Sequence, residues 1–201
     1  MFYIQKQQIL VIFCFIIFFS GCTDEFDYLI IPSSKVGAIT PKATEVELRK
    51  IYGNKNVKLY EVDVGEGDVV EGTIVFPNTN KELTIEWKSK HKDPERITIY
   101  RADTKWITNN GITIGTTLEE MEKINGGIFK LTGFGWDYPG RTVSWEQGNL
   151  PIQLQLDLDP DVKLSDKELM QVSGDSYFSS NNPIIKKMKL KVVRMHILWD
   201  I

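Results

Sequence analysis

The chain has 201 residues, with 24 Lys and Arg against 27 Asp and Glu, a formal net charge of −3, and only two cysteines and two histidines. That length suits one ordinary domain or two very small ones, and a mildly acidic, mixed-sign chain carries no electrostatic footprint for nucleic acid. Both cysteines, Cys14 and Cys22, lie within or just after an N-terminal apolar stretch; no disulfide framework, zinc site, resident metal or cofactor is therefore expected.

Lys6 precedes an unbroken apolar run over residues 9–19, followed by Ser20, Gly21 and Cys22. As a helix such a run rises about 16 Å, roughly half a bilayer core, so it is too short for a comfortable span. A charged start, a short apolar stretch and small residues before a boundary mark a secretory signal over residues 1–21. Five of the ten phenylalanines lie in it, and removing it with Lys6 takes the net charge to −4. The F-S-G-C ending resembles the bacterial lipobox, in which cleavage frees a cysteine that receives diacylglycerol on its thiol and an acyl chain on its amine. The resemblance implies that Cys22 is lipidated and anchors the protein to a membrane of the bacterial cell envelope, with the outer membrane expected. At about 0.8 kcal/mol per buried methylene, several acyl chains hold a protein on a membrane almost permanently. An ordinary signal peptide with an incidental cysteine is the alternative.

Residues 22–35, with Asp24, Glu25 and Asp27 behind the cysteine and a Pro-Ser-Ser-Lys stretch, read as a tether. The acidic run resembles the surface-export signal of Bacteroidetes lipoproteins, and it equally suits a solvated tether.

A repeat lies at an offset of 73 residues. Residues 39–53 read I-T-P-K-A-T-E-V-E-L-R-K-I-Y-G and residues 112–126 read I-T-I-G-T-T-L-E-E-M-E-K-I-N-G, with seven of fifteen positions identical. Each copy places a threonine three residues before a glutamate, Thr44 with Glu47 and Thr117 with Glu120, which is the capping box of a helix N-terminus. Each closes on a glycine, Gly53 or Gly126, where a left-handed C-cap is needed. Leu48 with Ile51, and Met121 with Ile124, supply the apolar stripe. The two segments are predicted as short helices of about two turns.

Strands follow each helix. Residues 57–64 and 69–76 flank a Gly-Glu-Gly-Asp turn; residues 83–87 alternate apolar and polar, as do residues 97–100 after a polar loop over 89–94. The second half offers strands over residues 128–132, 141–145, 152–158 and 188–199. The last of these shifts phase near Val192, as a β-bulge would make it do. The expected fold is α+β: two tandem helix-plus-antiparallel-meander units, residues 36–105 and 106–201, packed together because neither sheet can hide its apolar face under so short a helix.

Gly111, Ile112, Gly115 and Thr117 form a helix-starting G-[IV]-x-x-G-x-[ST] turn. With the meander that follows, it resembles the units of the BamE/SmpA small outer-membrane lipoproteins, and the tandem copies resemble the β-lactamase inhibitor protein architecture. The whole mature chain, above all Gly133-Phe134-Gly135-Trp136-Asp137-Tyr138, is similar to an uncharacterised family of bacterial lipoproteins and secreted proteins. These resemblances imply a binding or scaffolding role and carry no catalytic residue with them.

The candidate binding surface is that segment: Phe134, Trp136, Asp137 and Tyr138 among glycines that let a partner approach the backbone. The competing reading makes the same aromatics core. Asp157, Asp159, Asp161, Ser165 and Glu168 follow calcium-loop spacing, but Val162 stands where a glycine is needed, so a solvated loop is expected. His91 is placed in a lysine-rich loop, His196 on the outward side of the last strand, and residues 173–181 in a flexible loop. The lysines of 88–92 and 186–191 suit either anionic lipid or solvated strand faces. No G-x-S-x-G or H-E-x-x-H pattern occurs. The reading taken is a non-catalytic envelope lipoprotein that binds a protein or cell-wall partner. Two alternatives stand beside it: an inhibitor of an envelope hydrolase or lysozyme, and an enzyme of unrecognised type.

Overall fold

The structure is a computed structural model and describes residues 26–157 and 159–199; the leader, Cys22 and residues 23–25 lie outside the described residues. The fold is α+β. In chain order it runs β1 (Leu29–Ile31), β2 (Lys35–Val36), α1 (Glu45–Tyr52), β3 (Val57–Gly65), β4 (Asp68–Val75), β5 (Leu83–Ser89), β6 (Lys92–Ile99) and β7 (Ile107–Thr108). It continues through α2 (Leu118–Asn125), β8 (Lys130–Thr132), β9 (Thr142–Ser144), β10 (Gln153–Asp157), α3 (Asp166–Met170), β11 (Tyr177–Ser179), α4 (Pro183–Lys187) and β12 (Lys191–Leu198). Among the described residues no helix is long and apolar enough to cross a membrane.

Both capped helices form. Glu47 N donates to Thr44 Oγ1 at 3.3 Å while Thr44 N donates back to Glu47 at 2.8 Å, and Thr117 with Glu120 repeats both bonds at the same lengths. Gly126 closes α2 in the left-handed region; Gly53 closes α1 at φ +86. Each helix start is also stitched to the start of a long strand. Glu45 N donates to His91 O and Asp93 N to Ala43 O, just as Leu118 N donates to Leu190 O and Val192 N to Thr116 O. So short a helix buries only the turn that meets the sheet: Leu48, Leu118 and Met121 are enclosed, but Ile51, expected in the apolar stripe, is left 54% exposed.

The first meander is as expected, β3-β4-β5-β6, except that the polar loop before β6 shrinks to a tight turn at residues 90–91, with Pro94 inside β6 beside a register shift. The second half does not close a separate meander. β12 pairs antiparallel with β6, Ile97 opposite Ile197, and β10 pairs with β12, so one six-stranded sheet runs β10-β12-β6-β5-β4-β3 across both halves. β8 and β9 leave it for a small sheet with β11. The break has a local cause: the Thr142 side chain takes the ladder position, its Oγ1 accepting from Leu154 N at 2.9 Å. The bulge near Val192 is present. Gln155 faces Arg194 and Leu156 faces Val192, so Val193 is the extra residue and Leu190, Val192, Met195 and Ile197 all reach the core.

Residues 26–35 correct the tether expectation. β1 lies parallel to β7 and antiparallel to β2, Ile30 is fully buried, and Phe26 packs against Tyr28, Tyr52, Phe76 and Trp106 with ring centroids 4.6 to 6.0 Å apart. A three-residue strand has no readable period; its partner lies about eighty positions away in the chain. The flexible loop expected over residues 173–181 contains β11, and Asn182 then caps α4 with Pro183 in its first turn.

Candidate functional site

Alternation along the paired strands puts Arg96 and Thr98 of β6, Arg194 and His196 of β12, and Gln155 of β10 on the sheet face turned away from the two capped helices. That face is not open. The long β3–β4 hairpin turns over it, burying Val62, and from the opposite edge the 133–140 segment reaches the hairpin tip. Tyr138 makes the bridge: its hydroxyl donates to Val64 O at 3.3 Å across 74 positions of sequence. Gly65 permits the approach, since a Cβ there would stand 2.0 Å from the Tyr138 oxygen, and its φ of +103 suits glycine. The result is a cleft of 530 Å³ with arginines on its floor and Trp136 to Tyr138 on its wall.

Its electrostatics are one-sided at depth. Arg96 pairs with Glu86 at 2.7 Å. Arg141 lies over the Tyr138 ring, guanidinium carbon 3.9 Å from the centroid, and Arg194 lies 5.9 Å from that of Tyr100. No carboxylate of a described residue forms an ion pair with Arg141 or Arg194. Burial, then the neighbouring Arg96, hold the Arg141 guanidinium below its ordinary range. His196 is 3% exposed, its Nδ1 3.0 Å from Thr98 Oγ1. Burial first, and then Arg141, Arg96 and Arg194, push its pKa down to about 3. The ring is therefore neutral at ordinary pH. Arg96 Nε, Arg141 Nε and His196 Nε2 are buried without a protein hydrogen-bond partner.

The structure divides the predicted segment. Phe134 is 7% exposed and belongs to the core, because Gly133 and Gly140 let its segment lie close to neighbouring backbone. Trp136 is 62% exposed, Asp137 is exposed, and Tyr138 is half-buried as the bridge. His196, expected to face outward, is covered, since an outward position on this sheet lies beneath the hairpin. The calcium-spaced loop is tied up within the fold. Glu168 forms a third capping box with Ser165 and accepts from Lys187, which together hold its carboxyl down at about 2; Asp159 pairs with Lys191 at 2.6 Å. The same pairs, with Lys186 to Glu122 at 2.9 Å, engage lysines of the 186–191 stretch, for which anionic lipid and a solvated face were both open. His91 Nε2 lies 3.1 Å from Glu71. Among the described residues no group of His, Cys, Asp and Glu is placed to hold a metal ion.

The arginines were not singled out in the sequence. Each stands alone among strand residues, and a lone arginine on a strand reads as solvated.

The class defined by these features is an α+β protein with an arginine-floored cleft closed over a single mixed-origin sheet. No protein-family model matches the chain, and no curated protein matches it. Among solved structures it is similar to one described as the uncharacterized protein yfeY from Escherichia coli, with TM-score 0.46 and 16% identity over 83% of this chain and 97% of that chain. At that level the likeness bears on neither function nor site.

Proposed function

We propose that the protein is a non-catalytic binding protein, anchored through Cys22 to a membrane of the bacterial cell envelope, the outer membrane in our reading, which takes its partner beside Trp136. The observation that carries this reading is a large, rigid aromatic ring left 62% exposed at the wall of a cleft that the fold itself encloses. The chemistry inside supports binding over catalysis. A general acid or base works best with a pKa near the operating pH, and His196 is held neutral down to about pH 3. Guanidinium groups stay charged and do not shuttle protons. The leader and the Ser20-Gly21-Cys22 ending support the anchor.

Two measurements test this reading. Cys22→Ser should move the protein from the membrane fraction to the soluble one; a variant that stays in the membrane fraction and is processed at the same site overturns the anchor. Trp136→Ala should lower retention of a partner from envelope extract while thermal unfolding stays unchanged. Unchanged retention removes Trp136 from the site, and loss of both retention and stability makes the ring structural.

A further inference from the structure

We infer that the cleft is a phosphate site, in which Arg141 and Arg194 hold a dianionic phosphate ester against the sheet, His196 Nε2 donates to it, and Trp136 faces its organic body. This rests on the reading of the cleft as a binding site and names its ligand class.

Charge comes first. Three guanidinium groups converge, from β6, from β12 and from the residue just before β9, and Glu86 answers only the one on Arg96. Two positive charges remain, which matches a phosphate monoester near neutral pH. The carboxylates on the same cleft, Asp63, Glu66 and Asp137, sit exposed on its rim. Water and salt screen them, whereas the guanidinium groups below are partly desolvated. Asp63 is also turned toward its own turn, its Oδ1 accepting from Gly65 N at 2.8 Å.

Donor geometry points the same way. Arg96 Nε, Arg141 Nε and His196 Nε2 are buried with no acceptor from the protein, and an unpaired buried donor costs about 1–3 kcal/mol. When the Thr98 hydroxyl donates to His196 Nδ1, the single proton of the neutral ring sits on Nε2, and His196 lines the cleft. Donors that arrive from several strands suit a tetrahedral group with oxygens in several directions. A carboxylate offers two oxygens in one plane, which a single arginine fork already satisfies. The Tyr138 ring stacked on Arg141 fixes that guanidinium and so lowers the ordering cost of binding. At 530 Å³ the cleft has room for a phosphate and a small organic body.

The full chain, purified in detergent, is titrated with inorganic phosphate and, separately, with acetate, by calorimetry and by thermal unfolding. One saturable site for phosphate is expected, with a rise in unfolding temperature and an upfield-to-downfield change in the His196 ring resonances. Arg141→Gln and Arg194→Gln should each weaken binding by about ten- to a hundredfold. Arg101→Gln, on a guanidinium paired with Asp103 outside the cleft, should leave binding unchanged. Should a glutamine variant fail to fold, Arg141→Lys and Arg194→Lys keep the charge, lose the fork, and should bind more weakly than wild type. The inference is overturned by absence of saturable binding up to about 50 mM phosphate, by acetate binding as tightly, or by arginine variants that bind as well as wild type. Methyl phosphate and a short-chain phosphatidic acid then separate the sources: equal affinities assign a soluble ester, and markedly tighter phosphatidic acid assigns a lipid head group. Failed phosphate binding with Trp136-dependent partner retention intact sinks this inference alone and leaves the binding reading standing.

Discussion

Acidification from about pH 8 to about pH 5 should remove about 2 kcal/mol of folding stability, most of it through His196. The side chain is 3% exposed, hydrogen-bonded at one nitrogen to Thr98, and surrounded by Arg96, Arg141 and Arg194. In the unfolded chain a histidine takes up its proton below about pH 6.5, whereas in the fold His196 resists until about pH 3. Between those limits the unfolded state binds the extra proton. The stability is therefore complete above the upper limit and falls by about 1.4 kcal/mol per pH unit as the pH drops toward the lower one. Carboxylates held low in the fold, such as Glu45 and Glu168, add a slope of the same sign, but only further down, as the pH approaches the ordinary carboxylate range. The window above about pH 5 thus lies clear of these carboxylates, and comparison with a variant lacking His196 assigns the slope to that residue. Urea unfolding followed by tryptophan fluorescence at a series of pH values measures the slope. His196→Asn keeps a partner for Thr98, removes the titrating group, and should flatten it. A wild-type protein equally stable at both ends of that window, or a variant with the parent's slope, would refute the burial argument.

Thr44→Ala and Thr117→Ala should each cost about 1 kcal/mol in denaturant unfolding, and near-additively, since the two capping boxes share no partner. Phe134→Ala should cost about 3–5 kcal/mol, because it empties a core position. Trp136→Ala, two residues on, should stay within about 0.5 kcal/mol of the parent, as exposed positions do; equal losses at the two sites would contradict the division of the segment into core and rim. Gly65→Ala should destabilise by about 1–3 kcal/mol, since the new Cβ meets Tyr138 and the backbone is left-handed. Pairing it with Tyr138→Ala should recover the steric part, and a double variant no better than the single one would argue against the contact.

What could be read in the linear chain was local. Capping boxes at Thr44 and Thr117 depend on residues three apart, and alternation over β5 or β6 depends on neighbours two apart, so both are written within a few positions. The phase slip that became the bulge at Val193 is equally local. Even there a signal was passed over: Ser165 and Glu168 carry the same capping signature, yet the segment was expected as a solvated loop. Tertiary structure alone decided which strands meet. β12 joins β6 across 98 positions where His196 faces Thr98, β1 finds β7, and Tyr138 closes onto Val64. The cleft follows from those meetings. Arg96, Arg141 and Arg194 sit far apart in the chain and gain a common purpose only when sheet order makes them neighbours and the hairpin withdraws water from them. Sequence position sets a side chain's chemistry, but charge and burial act through distance in space, and that distance is fixed by long-range pairing with no local signature.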